Sequence, residues 1–272
     1  MTNISRRFAR TVATVGLLAL AGAFATFNAS AQTARAAQHE KPTVVLVHGA
    51  FAESSSWDGV IRKLEAQHYP VIAAANPLRG VKSDAAYVAG IVDAVKGPVV
   101  LVGHSYGGSV ISGAATGKGN VKALVFVAAF APEAGESAAD LAGKFPGSTL
   151  APALAPPVAL ADGGKDLYIL KNRFHDQFAA DVPAAAARLM AATQRPIAEA
   201  ALGEPAGTPA WKNVPSWFVY GDADKNIPPA AQAFMAERAK AVKTVVVKGA
   251  SHVVMTSRPD VVAKLIVEAA DR

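Results

Sequence analysis

The sequence predicts an α/β protein: a mostly parallel sheet of about six strands, helices on both faces, and a helical insertion over one end. Three observations carry that prediction. From Pro42 onward, short β-branched runs alternate with longer helical patterns, the signature of parallel strands joined by crossover helices. The run Val44-Val45-Leu46-Val47 is apolar throughout, as a strand covered on both faces should be. The alternation lapses only between Ala131 and Asn213, a stretch rich in Ala and Pro with no strand pattern of its own.

The chain begins with a segment that reads as an export signal and not as fold. Arg6, Arg7 and Arg10 precede an apolar stretch from Val12 to Phe27, and Ala29-Ser30-Ala31 offers a cleavage site. The expectation is therefore a leader over 1–31 and an exported, periplasmic or secreted mature domain over 32–272. The apolar run is shorter than the roughly 20 residues a spanning helix needs. With the leader removed, no stable membrane insertion is expected.

Along the mature domain, Ser56 to Gln67 sets Trp57, Val60, Ile61 and Leu64 at helical spacing, and Val71 to Ala75 reads as the second strand. Asp84 to Lys96 follows with Tyr87, Val88, Ile91, Val92 and Val95 on one helical face, Ser83 being its expected N-cap. Strands are predicted at Val99 to Val102, Val121 to Val127, Ser216 to Tyr220 and Thr244 to Val247. Helices are predicted at Gly107 to Ala115, Pro228 to Lys240 and Pro259 to Ala270. The insertion, about 131–213, carries one helix from Pro183 to Thr193.

Composition removes several classes of function. Of 272 residues, 51% are hydrophobic, which excludes intrinsic disorder. There is no cysteine, hence no disulfide, Cys-ligated metal or thiol nucleophile. Taking away residues 1–31 removes three arginines and no acid, leaving 24 basic against 21 acidic residues and a net charge of +3. Without a basic run interleaved with aromatics, no nucleic-acid partner is expected. No phosphate-binding glycine loop and no His/carboxylate metal pattern is seen, so no cofactor or metal is expected.

Chemistry gathers at strand ends. Gly103-His104-Ser105-Tyr106-Gly107 follows a strand and opens a helix, the context a G-x-S-x-G nucleophile elbow requires. A sharp turn there lifts Ser105 above the sheet, at the positive end of the following helix. A serine hydroxyl needs a base within reach. Of His39, His48, His68, His104, His175 and His252, the last lies in Gly249-Ala250-Ser251-His252 just after a strand, where ligands gather in such sheets. Asp222 and Asp224 both follow the strand ending at Tyr220, and either one satisfies the order Ser, Asp, His. For an oxyanion, His48-Gly49-Ala50-Phe51 is placed to supply the Ala50 N–H, and Tyr106 the other. His48 itself reads as structural. Phe145, Tyr168, Phe174 and Phe178 are candidate pocket walls in the insertion, and His175-Asp176 reads as a surface turn in preference to a pocket pair.

These pieces together resemble the α/β-hydrolase superfamily, within it the compact branch of small-ester hydrolases, plant methyl-ester hydrolases and hydroxynitrile lyases. The motifs are Val44-Val-Leu-Val-His-Gly-Ala50, Leu101-Val-Gly-His-Ser-Tyr-Gly-Gly108, Gly221-Asp-Ala-Asp-Lys-Asn-Ile-Pro228 and Gly249-Ala-Ser-His252. The resemblance implies the α/β-hydrolase fold, a cap at about 131–213, and Asp224 as the acid, since the family's acid stands three residues past the glycine. It also speaks against the lyases, which are expected to carry Thr where Gly49 stands and Lys where Val253 stands. The expected function is hydrolysis of a small carboxylic ester through an acyl-enzyme by Ser105, His252 and Asp224. The alternatives are a cofactor-free perhydrolase or haloperoxidase-like enzyme, and a non-catalytic small-molecule receptor on the same fold.

Overall fold

The computed structural model describes residues 41–272; the leader, its cleavage site and His39 lie outside the described residues. Six strands form one fully parallel sheet: β1 (Thr43–Val47), β2 (Val71–Ala74), β3 (Val99–His104), β4 (Val121–Val127), β8 (Ser216–Gly221) and β9 (Lys243–Val247). Their order is β2-β1-β3-β4-β8-β9. The register runs Val47 to Gly103, Gly103 to Phe126 and Phe126 to Phe218, which brings the carboxyl ends of the central strands level. All six residues of β3 are buried, as its unbroken apolar pattern requires, whereas edge strand β9 is half open.

This order explains where a site can form. From β1 the chain moves outward to β2, then crosses back over β1 to β3. Right-handed crossovers put α1 (Asp58–Glu65) and α2 (Val81–Ala94) on opposite faces. The loops after β1 and β3 therefore leave in opposite directions and open a crevice at the carboxyl end, the switch point of the sheet. On one face α2 packs against α3 (Tyr106–Ala114); α1 packs against α10 (Pro259–Ala270). Between the layers, Phe126 and Phe218 stack with ring centroids 4.6 Å apart.

Two local expectations are corrected. Helix α2 begins at Val81, so Ser83 lies inside its first turn, where its hydroxyl donates to the Gly80 carbonyl at 3.1 Å. The open N–H of Val81 instead donates to the carboxylate of Glu204, 123 residues along, at 2.5 Å. A capping group supplied from so far away leaves no local pattern. Tyr87, assigned to the helix's packed face, is exposed, while Val88 and Val92 are buried.

The segment between β4 and β8 does contain strands, contrary to expectation. β5 (Val158–Ala159), β6 (Lys165–Leu167) and β7 (Ile197–Ala198) form a small antiparallel sheet. Strands of two or three residues are too short to show alternation, so the pattern could not reveal them. Around them lie α4 (Ala138–Lys144), α5 (Lys171–Phe178), α6 (Ala184–Thr193) and α7 (Glu199–Gly203). After β8 come α8 (Pro229–Arg238) and, after β9, the short α9 (Val254–Ser257). No helix among the described residues is long and apolar enough to cross a membrane.

Candidate active site

Ser105 sits between β3 and α3 with φ 55° and ψ −125°, a conformation that costs a residue with a side chain and persists only where its surroundings hold it. The surroundings are backbone. A Cβ at Gly107 would stand 2.5 Å from the Val47 carbonyl oxygen, so α3 can start this close beneath β1 only with glycine there. The N–H of Tyr106 is the first of α3 and has no intrahelical acceptor by construction. Across the crevice, a Cβ at Gly49 would come within 2.6 Å of the Ser105 Cβ. Gly49 thus lets the loop after β1 pass against the serine and carry Ala50 to it. No hydrogen bond from the Ala50 N–H is seen among the described residues.

His252, in the loop after β9, is 1% exposed. Its Nδ1 lies 2.7 Å from Asp224 Oδ2, and the carboxylate must accept, so Nδ1 carries the proton and Nε2 is left as the basic nitrogen. Of the two aspartates, it is Asp224 that meets the imidazole. The exposed Asp222 instead accepts from the Gly249 N–H at 2.6 Å, a turn role. Asp224 is itself held by three donors: the N–H groups of Asn226 and Ile227 on Oδ1, and the Gln232 side chain on Oδ2 at 2.9 Å. These donors fix the direction of the carboxylate toward the imidazole.

The remaining histidines support this arrangement. His104 is fully buried; its Nε2–H donates to the His252 carbonyl at 3.2 Å, and the two rings lie 4.8 Å apart. Burial, with the neighbouring imidazole, holds its pKa well below the ordinary value. His48 is likewise buried, donates from Nδ1 to the Gly49 carbonyl, and has its pKa lowered to about 4 by burial. Both rings are neutral braces. His175 and Asp176 lie in helix α5 and not in the expected surface turn. His175 donates to the Val182 carbonyl beyond the helix at 2.9 Å and Asp176 is exposed, so the two form no pocket pair.

Ser105, His252, Ala50 and Tyr106 line one cavity of about 100 Å³. No direct hydrogen bond joins Ser105 to His252 among the described residues; such contacts tighten when substrate fills the site. The walls are apolar, with Phe51, Phe130, Leu150, Phe178, Leu202 and Ile227 prominent and no charged side chain. Of the four aromatics expected there, only Phe178 reaches it. Phe145 packs on Phe234 and Phe174 lies behind Phe178; Tyr168 is not part of the wall. The spacing of an irregular insertion does not say which side chains face inward.

Three supporting residues went unnoticed in the sequence because their partners are remote. Asp84, in α2, accepts from the Tyr106 hydroxyl at 3.0 Å and from the Arg79 N–H. Burial raises the pKa of the Asp84 carboxyl against those bonds. Gln232 steadies Asp224, as above. Asp181 accepts from both the N–H and the hydroxyl of Ser251, the residue before His252. Among the described residues, no group of three or more His, Asp or Glu side chains is placed to hold a metal.

An elbow serine, an aspartate–histidine pair and two glycine-dependent loops at one switch point define a hydrolase-type site on a parallel α/β sheet. The pattern of the alpha/beta hydrolase family matches residues 44–265, and the chain belongs to that family. It is 26% identical over 250 residues to the alpha/beta hydrolase nvfD of Aspergillus novofumigatus (strain IBT 16806), covering 85% of this chain and 97% of that protein. The fold is shared with polyneuridine aldehyde esterase (TM-score 0.73, 19% identity, 84% of this chain and 99% of that one). It is shared also with a pyrethroid hydrolase from Sphingobium faniae JZ-2 (TM-score 0.66, 22% identity, 85% of this chain and 97% of that one).

Proposed function

We propose that the protein is a serine hydrolase that cleaves small, uncharged carboxylic esters through an acyl-enzyme. The observation that supports it best is the meeting of a strained elbow serine and an Asp224-held His252 in one apolar cavity. Ser105 Oγ attacks the ester carbonyl while His252 Nε2 takes its proton. The resulting oxyanion is held by the N–H groups of Ala50 and Tyr106. Collapse breaks the acyl C–O bond, and the leaving alcohol takes the proton back from His252. Water, deprotonated by His252, then attacks the acyl-serine, releasing the acid and restoring Ser105. Asp224 stabilises the imidazolium through both halves.

A cavity without charged walls favours a neutral ester over an anionic or cationic one, because nothing replaces the water an ion would lose. The lyase chemistry of the same branch is disfavoured. A threonine side chain at Gly49 would collide with Ser105, and the residue after His252 is the buried Val253.

The test is hydrolysis of p-nitrophenyl esters from acetate upward by the mature protein and by Ser105→Ala. The proposal requires activity in the first and its loss in the second; equal activity in both would overturn it. Export is part of the same proposal. N-terminal sequencing of protein recovered from the periplasm or medium is expected to begin at Gln32.

A further inference from the structure

The loop after β1 makes a second unusual turn. Phe51 has φ 61°, in the left-handed region that a phenylalanine adopts only under constraint. The constraint is visible: its N–H donates to the Arg195 carbonyl at 2.9 Å, and its ring meets Phe178 edge-on with centroids 6.1 Å apart. Phe178 in turn lies against His252 at 5.1 Å and His104 at 6.2 Å. Phe51 is only 4% exposed, yet it borders two cavities. One is the cavity of about 100 Å³ that holds Ser105 and His252. The other, about 210 Å³, lies between the loop continuing through Ala52 to Ser56 and the Leu189–Met190 side of α6, and it contains neither Ser105 nor His252. Phe51 is the residue common to both.

Size makes this partition consequential. Pockets that enclose a whole drug-sized ligand run to about 300–1,000 Å³. The inner cavity is far below that and has room for one short arm of an ester. Joined to the outer one, it would reach the lower end of the range.

We propose that Phe51 is the specificity-determining residue of this site. Its ring closes the inner cavity against the outer one and so limits the arm of the ester that enters beside Ser105 to a few carbons. The backbone suits that role, since the left-handed turn and the Arg195 contact leave the ring little freedom to swing aside. This inference rests on the ester-hydrolase reading above.

The experiment measures kcat/KM on two substrate series with wild type, Phe51→Ala and Phe51→Gly. One series lengthens the acyl chain at fixed p-nitrophenol; the other enlarges the alcohol at fixed acetate. Glycine adopts φ 61° without cost, so the second variant guards against misfolding of the first. In the series that extends the enclosed arm, wild type is expected to fall away after the shortest members. Both variants are expected to move the optimum to longer ones, with a gain of at least about 10-fold in the long-to-short ratio. Profiles that coincide with wild type in both series would overturn the assignment. Ser105→Ala, assayed alongside, separates the two failures. Activity surviving in it sinks the ester-hydrolase reading, whereas a dead Ser105→Ala with unchanged Phe51 profiles sinks only the role of Phe51.

Discussion

The carboxyl ends of the sheet and the insertion that faces them are held together by different physics. At the ends of β1 and β3, backbone meets backbone so closely that a single added Cβ at Gly49 or Gly107 has nowhere to go. The polar groups around Asp224 are bonded on both carboxylate oxygens. The insertion joins the loops by apolar packing and a few backbone bonds, such as Phe51 N–H to the Arg195 carbonyl, and by side chains reaching across. Arg79 pairs with Asp166 at 2.6 Å and with the Pro196 carbonyl, Glu204 caps α2, and Asp181 grips Ser251. A close-packed backbone fixes the positions of reacting atoms to fractions of an ångström. Side-chain tethers locate a wall and leave its lining free to vary. The first suits chemistry and the second suits selectivity.

Substitutions should sort accordingly. The largest effect is expected from Asp224→Asn, which keeps the shape but lets His252 present the wrong tautomer. A fall in kcat of about 10⁴-fold is expected with KM little changed, read from steady-state ester hydrolysis.

Next is acid sensitivity from the buried histidine braces. The pKa of His48 is about 4 when folded, below its ordinary 6.5, so the unfolded chain binds the extra proton between those values. Its contribution to stability is therefore complete above pH 6.5 and is lost as pH falls toward 4. At about 1.4 kcal/mol per pH unit this amounts to about 3 kcal/mol, with His104 acting in the same direction. Urea unfolding at pH 7 and pH 4.5 measures it, and His48→Asn should flatten the dependence.

Gly49→Ala comes third. The added Cβ pushes against Ser105 and displaces the loop that carries Ala50, so under the proposed mechanism kcat should fall about 10²-fold in a protein that still folds by circular dichroism. Arg79→Ala should do least. Its ion pair with Asp166 is partly exposed, and such pairs contribute about 0–1 kcal/mol. The expected change is a few-fold rise in KM with kcat within about two-fold. A large loss of kcat there would erase the contrast between the two regions.

Much of the sheet half was legible in the sequence because its signals are local. Six apolar runs became the six strands. The elbow motif reads as such since strand, turn and helix follow one another within about ten residues. The insertion was far less legible. Its strands are too short to alternate, and Phe51 and Ile227, which line the cavity from elsewhere in the chain, bear no mark of it. Asp84, Asp181 and Glu204 act on partners tens of residues away or more.

The sequence by itself determined the fold class, the strand-end position of Ser105 and His252, and the glycine-bearing loops between them, because periodicity and turn chemistry act over a few residues. Local chemistry left Asp222 and Asp224 level and the family resemblance favoured Asp224; the tertiary structure shows the physical reason that Asp224 is the one touching His252. Asp222 and Asp224 share one loop, and the direction each points depends on how that loop packs against Gly249 and Gln232. Only the tertiary structure decided that Phe51 stands between two cavities, since a cavity exists only where segments far apart in the chain fail to fill the space between them.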